Sequence, residues 1–273
     1  MRTIVACALL AVGCHTAGGR SDRLMVATTT SVQNSGLLDV LMAAYDAATV
    51  RAHAVGSGLA LQMLADGTVD LAISHAPETE AHYLAKHPNW QYWTFAYNRF
   101  VIVGPAADPA NVRGLTNAID AFRRIAQADV WFVSRGDGSG THEREQRIWR
   151  MAGVTPARER LIVSGRGMAL ALRHANERGA YTLSDEPTFD QFASDFTLKL
   201  LADDDGHLLN SYAVLFPRQN SNAARFAEWL TQGKGKDAVG QFRVAGKHAF
   251  ILWPTSCPND RPDLQPCGAR QSP

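Results

Sequence analysis

The chain has 273 residues, 46% of them hydrophobic and 19% charged, a balance that excludes a disordered chain and supplies core material for one large domain or two smaller lobes. Its formal net charge is +1, so no global field draws it to nucleic acid or to an anionic membrane surface. Affinity for an anion would have to come from local geometry.

Residues 1–13 read as a signal peptide. Met1-Arg2 is a short basic start, and positions 4–12 are apolar or small except for Cys7, a run too short to span a bilayer. It ends in Leu10-Ala11-Val12-Gly13-Cys14, which resembles a bacterial lipobox with Ala11 where leucine is preferred; Cys14 would then carry the lipid. The alternative is ordinary secretory cleavage near Ala17-Gly18, leaving a soluble periplasmic protein. Both readings export the chain. Of the four cysteines, Cys257 and Cys267 remain for a Pro-rich tail at 255–273, a possible disulfide that could persist outside the cytoplasm.

After a linker at 14–23, strands and helices alternate, the pattern of parallel α/β layering. A strand is expected at 24–27 and a helix from Leu37 to Tyr45 behind Asn34-Ser35-Gly36. A strand at 51–55 follows, then a short helix through Leu59, Leu61 and Leu64, and a strand at 69–73. Residues 100–103 form a strongly apolar strand ended by Gly104-Pro105. The pattern then restarts, with a helix at 119–125, a strand at 130–133, helices at 141–152 and 168–176, and a strand at 180–183 behind Gly179. A strand at 210–216 and helices near 226–230 and 236–242 complete the series. This order predicts two lobes joined by crossings near 98–104 and 206–212: residues 24–99 plus 208–254 in lobe 1 and 100–207 in lobe 2.

Four loops share one design, in which a strand ends, small hydroxyl or glycine residues follow, and a helix begins. They are Thr28-Thr29-Thr30-Ser31, Gly56-Ser57-Gly58, the run from Ser134 to Thr141, and Gly165-Arg166-Gly167. A helix start leaves N–H groups unpaired and carries about half a positive charge. Glycine admits close backbone approach, and hydroxyls donate without adding charge. Two or three such ends plus one arginine roughly balance a dianion. Any one loop is ordinarily just a helix cap. The third is richer, combining three glycines, three hydroxyls and the Arg135/Asp137 pair, and could form a nest of N–H groups around an anion.

Three enzyme or metal readings fail on spacing. His142-Glu143 starts a zinc-protease pattern, but position 146 is Gln. Ser139 lacks the outer glycines of a nucleophile elbow. His75, His82 and His87, with Glu78 and Glu80 nearby, place no two histidines at i, i+4, which favours a structural or surface role. The aromatic run Trp90, Tyr92, Trp93, Phe95, Tyr97 reads as lobe packing near the hinge.

The motifs jointly resemble the tungstate-binding proteins of Tup-type ABC importers. They are Thr28 to Ser31 with Gly36-Leu37-Leu38, Val55-Gly56-Ser57-Gly58, Ser74-His75-Ala76-Pro77-Glu78, Asn98 to Pro105, Ser134 to His142 with Glu145, and Glu177 to Asp185. The resemblance implies a type II periplasmic-binding-protein fold, each lobe a mainly parallel sheet flanked by helices, with the oxyanion in the cleft at the hinge. Carried over onto this chain, the ligand residues are Thr29, Thr30, Ser31 and Ser57 from lobe 1 and Arg135, Ser139, Gly140 and Thr141 from lobe 2, with Thr182 a weaker candidate. Ser57 stands where the family has threonine, and Arg166 where the family often has an uncharged residue; Arg166 either tunes the cleft or points to solvent. Asp137 either orients Arg135 or accepts a proton from a protonated ligand such as phosphate. The expected function is extracytoplasmic capture of tungstate, without catalysis, cofactor or protein-ligated metal. The partners would be a permease and its ATPase; the protein would be a monomer touching the membrane only through its lipid. Molybdate, phosphate and sulfate are the rival ligands, and an extracytoplasmic phosphate-ester hydrolase is the rival class.

Overall fold

One 15-residue strand ties the molecule together: β4, Trp90–Gly104. From Trp90 to Arg99 it pairs antiparallel with β9, Leu209–Pro217, and from Phe100 onward with two other strands. Its change of partner divides the sheet into two halves, called here lobe 1 and lobe 2. The computed structural model describes residues 23–45, 49–203 and 206–262. The expected signal peptide, Cys14 and Cys267 lie outside the described residues.

Lobe 1 holds β1 (Leu24–Thr29), β2 (Val50–Val55) and β3 (Leu71–Ser74) beside β9. β1 runs parallel to both β2 and β3, whereas β3 meets β9 antiparallel. Because successive strand residues face opposite ways, each strand feeds two cores. Val26, Ile73 and Val214 pack under α2 (Leu37–Ala44), α9 (Ser221–Gln232) and α10 (Lys234–Gln241), through Leu37, Leu41, Phe226 and Val239. Ala27, Ala72 and Leu215 face α3 (Ser57–Ala65) through Leu61 and Leu64. Lobe 2 repeats the scheme. β5 (Phe132–Ser134) lies parallel to β6 (Leu161–Val163) and β7 (Tyr181–Asp185), and β7 and β8 (Lys199–Ala202) pair antiparallel with β4. Phe132 packs with Phe122 of α5 (Ala118–Gln127) and Trp149 of α6 (Gly140–Ala152), while Val133 faces Met168 and Leu172 of α7 (Met168–Arg178). The sheets are therefore mixed: parallel within each lobe's βα series, antiparallel in the ladder through the hinge.

Several elements were not foreseen. α1, Thr30–Asn34, begins inside the segment read as a loop and is capped by Thr29. α4, Pro77–Lys86, buries only Glu80 and so shows little apolar periodicity. α8, Glu186–Phe192, starts behind the cap Asp185 with Pro187 in its first turn. Beyond α10 come a short hairpin, β10 (Arg243–Val244) with β11 (Lys247–His248), and then β12 (Ile251–Leu252), which joins β4. Residues 255–262 stay on lobe 1: Thr94 N–H donates to Asn259 O at 2.8 Å and Trp253 Nε1 to Pro258 O at 3.0 Å. Cys257 there is buried and disulfide-bonded.

Candidate functional site

The loop from β5 to α6 is built around Asp137. Its Oδ1 accepts from Ser139 N–H at 3.1 Å, and its Oδ2 accepts from Arg135 Nη2 at 2.7 Å. Gly136 and Gly138 take positive φ of 59° and 66°, which turns the chain around that carboxylate. Ser139 then caps α6, its Oγ accepting from His142 N–H at 3.3 Å. Glu145, one turn into α6, accepts from the backbone N–H of Arg135 at 3.1 Å, and burial pushes its carboxyl up to about 7.

Arg135 is the notable side chain of this loop, only 1% exposed. Nη2 is taken by Asp137 and Nη1 lies 3.4 Å from Met168 Sδ, at the start of α7. Its Nε–H and the Thr141 hydroxyl are buried and have no hydrogen-bond partner. An unanswered buried donor costs about 1–3 kcal/mol, so each of these two would gain from an added acceptor.

Lobe 1 contributes hydroxyls held from behind. Thr29 Oγ1 accepts from Val32 N–H at 3.4 Å as the cap of α1, with Thr30 half-buried and Ser31 buried beside it. Ser57, fully buried as the first residue of α3, accepts from His75 N–H at 3.3 Å, which leaves its own proton to donate elsewhere. The Ser31 side chain favours the ionised form of the buried Tyr212 phenol against the upward push of its burial. Asn210 Nδ2 donates to that phenol at 3.0 Å and to Asn98 Oδ1 at 2.8 Å. Its Oδ1 is thus the acceptor facing His75 Nδ1 at 2.8 Å, which assigns the proton to Nδ1. His75 stacks on Tyr212 with ring centres 4.9 Å apart, and burial pushes its pKa down to about 4. A polar chain therefore runs from Tyr212 through Asn210 and His75 to Ser57.

The lobes meet at this chain. A Cβ on Gly140 would lie 2.7 Å from His75 Nδ1, and one on Gly58 would lie 3.2 Å from the Gly138 carbonyl. Only glycine permits the α6 start to sit this close to lobe 1. The positive charge of Arg135 also reaches His75, opposing its protonation. α1 packs on α7 and α8, and α7 begins at the methionine that touches Arg135. The starts of α3 and α6, one from each lobe, thus lie against each other where the lobes meet.

Two sequence-based expectations fare differently. Thr182 is committed elsewhere: its hydroxyl donates to Val133 O at 2.7 Å inside the lobe 2 sheet, so it does not offer a proton to the cleft. Arg166 is exposed to solvent. His75, Asn98, Asn210 and Tyr212 were missed as site residues. Two buried asparagines inside otherwise apolar strands were the available signal, since a buried amide needs a partner. Among the described residues, no group of three His, Cys, Asp or Glu is placed to hold a metal ion, and no helix is long and apolar enough to cross a membrane.

Comparison with known proteins gives a consistent set. A family model described as a PBP superfamily domain matches residues 15–234. The chain is 36% identical over 231 residues to the tungstate-binding protein TupA of Peptoclostridium acidaminophilum, covering 80% of this chain and 81% of that one. Among solved structures, the tungstate-binding protein TupA from Desulfovibrio alaskensis G20 is similar at 33% identity and a TM-score of 0.71, covering 85% of this chain and 99% of the other. The tungstate ABC transporter structure from Geobacter sulfurreducens is similar at 32% identity and a TM-score of 0.70, over 82% and 100% of the two chains.

Proposed function

The chain belongs to the PBP superfamily and, within it, to the Tup-type binding proteins; from that premise we propose that it captures tungstate as a tetrahedral dianion for an ABC importer. The observation that carries this reading is the pair of unanswered buried donors, Arg135 Nε and Thr141 Oγ1, in lobe 2. The proposed ligand set is Thr29, Thr30, Ser31 and Ser57 with Arg135, Ser139, Gly140 and Thr141. The starts of α3 and α6 would add roughly half a charge each to the full charge of Arg135, close to balancing a dianion.

Asp137 supports a guest without protons. Its carboxylate is engaged by Arg135 and Ser139, and Arg135 holds it below the usual carboxylate range against the upward push of its own burial. It thereby aims the guanidinium and leaves a site of donors. Tungstate and molybdate have only acceptor oxygens near neutral pH, whereas phosphate keeps a proton that would need its own acceptor. Sulfate shares the dianion chemistry but is smaller. The guest leaves unchanged, so no catalytic group is required.

The related proteins' transporter setting extends the proposal to a permease and its ATPase as partners. From the Leu10-Ala11-Val12-Gly13-Cys14 run we further propose that the chain acts outside the cytoplasm, a monomer held by lipid on Cys14. Calorimetric titration of the mature chain with tungstate, molybdate, sulfate and phosphate tests the ligand: tungstate should bind tightly, with molybdate the nearest competitor. Binding of sulfate or phosphate with no heat from tungstate would overturn the assignment.

A further inference from the structure

Helix α4 of lobe 1 lacks a cap of its own. Its N-cap residue is Ala76, which has no side chain to accept a hydrogen bond, and Pro77 occupies its first turn. Glu80 reaches back to Ala76 N–H at 2.8 Å, which is half of a capping arrangement. The other half, an acceptor for the N–H groups of Glu78 and Thr79, comes from the opposite lobe. Glu143 Oε1 accepts from Glu78 N–H at 2.8 Å, and Oε2 accepts from Thr79 N–H at 2.9 Å and from the Thr79 hydroxyl at 2.5 Å. Glu143 is not occupied with capping α6, where Ser139 does that work. We propose that Glu143 is a cross-cleft cap: it completes the N-terminus of α4 only when the lobes are closed, and so sets how long the closed form lasts.

The chemistry favours this one side chain over its neighbours. A carboxylate on backbone N–H groups at a helix start gains both charge-assisted bonds and the helix field. It also sits in the first turn of α6, so closure brings two helix starts to one negative charge. Alongside it Glu78 pairs with Arg150 at 2.8 Å and with Arg147 at 3.6 Å, but these side chains are 40–59% exposed, and such pairs contribute little. Opening the cleft breaks all three Glu143 bonds and returns two N–H groups of α4 to water. Part of the closing free energy thus resides away from the guest.

The test uses the full mature chain with Glu143→Ala, Glu143→Gln, Thr79→Val and the Glu143→Ala/Thr79→Val double variant. Stopped-flow release of tungstate should quicken about tenfold in Glu143→Ala, with association little changed. Glu143→Gln should fall between, and the double variant should release no faster than Glu143→Ala alone. Denaturant unfolding of the ligand-free chain should lose no more than the measured fall in closed population accounts for, which separates a cap of the closed form from a residue that merely holds the fold. The release arm rests on tungstate being the guest; a second arm does not. With one fluorescent label per lobe, the ligand-free chain should shift to longer lobe-to-lobe distances in Glu143→Ala. If no anion binds but the distances shift, the anion reading fails and the cap stands. Unchanged distances and unchanged release, or a loss of ligand-free stability with distances unchanged, would overturn the cap.

Discussion

The two lobes bring different chemistry to the cleft. Lobe 1 offers neutral hydroxyls on the starts of α1 and α3, each held from behind by a backbone N–H or by the chain through Tyr212, Asn210 and His75. Lobe 2 offers a buried guanidinium, oriented by Asp137, and a hydroxyl with no partner in the chain. Both lobes keep buried side-chain atoms without a partner, Thr28 Oγ1 and Asn98 Nδ2 in lobe 1 and Arg135 Nε and Thr141 Oγ1 in lobe 2, but only lobe 2 adds a buried full positive charge. In the proposed site, charge sits on one side and neutral hydroxyls on the other, so a guest would gain the full set of contacts only with both lobes around it.

That asymmetry can be broken at its strongest point first. Arg135→Ala should weaken tungstate binding by at least about 2 kcal/mol, roughly thirtyfold, because the dianion loses its one full countercharge; unchanged affinity in a calorimetric titration would remove Arg135 from the site. Thr141→Val should weaken binding by about 1–2 kcal/mol while leaving ligand-free stability equal or slightly higher, since it deletes an unanswered buried hydroxyl at similar volume. A fall in thermal stability with affinity intact would contradict that. Ser57→Ala should have a smaller effect, about 0.5–1.5 kcal/mol of binding, and an effect as large as that of Arg135→Ala would erase the contrast between lobes.

The subtlest difference is a pH slope. Buried Glu145 titrates near 7 in the fold against an ordinary value of 4.5. The folded chain therefore holds a proton that the unfolded chain gives up, a stabilisation fully present below about 4.5 and lost as pH rises through about 7. Glu80, likewise raised to about 7 by burial, adds a decline of the same sign. His75 acts the other way: lowered to about 4 from 6.5, it makes the fold gain stability as pH rises across that interval. Glu145→Gln, which stays neutral, should flatten the difference in thermal unfolding between pH 4.5 and 7.5 relative to the natural chain. Parallel curves would show that Glu145 keeps its charge in the fold.

How much of this was legible beforehand differs by region. The helices at 141–152 and 168–176 were readable because their ends are marked, by Ser139 at one start and Gly179 at one finish. The full length of β4 was not. Its buried alternation at Trp90 and Tyr92 is interrupted by Thr94-Phe95-Ala96, all buried where the register with β9 shifts, and a bulge erases a period of two. α4 hid for the opposite reason, since a helix that buries only Glu80 has no apolar stripe to read. Arg135, Ser57 and Thr141 could be nominated from residue type and motif order. His75 could not, because its role depends on Asn210, which is 135 residues away.

The most direct test is tungsten anomalous diffraction from crystals of the mature chain grown with tungstate. The account predicts one strong peak within hydrogen-bonding reach of Arg135 Nε, Thr141 Oγ1 and the hydroxyls of Ser31 and Ser57. A peak located elsewhere, such as the surface cavity lined by Arg147, Arg218 and Arg261, with none between the lobes, would contradict it.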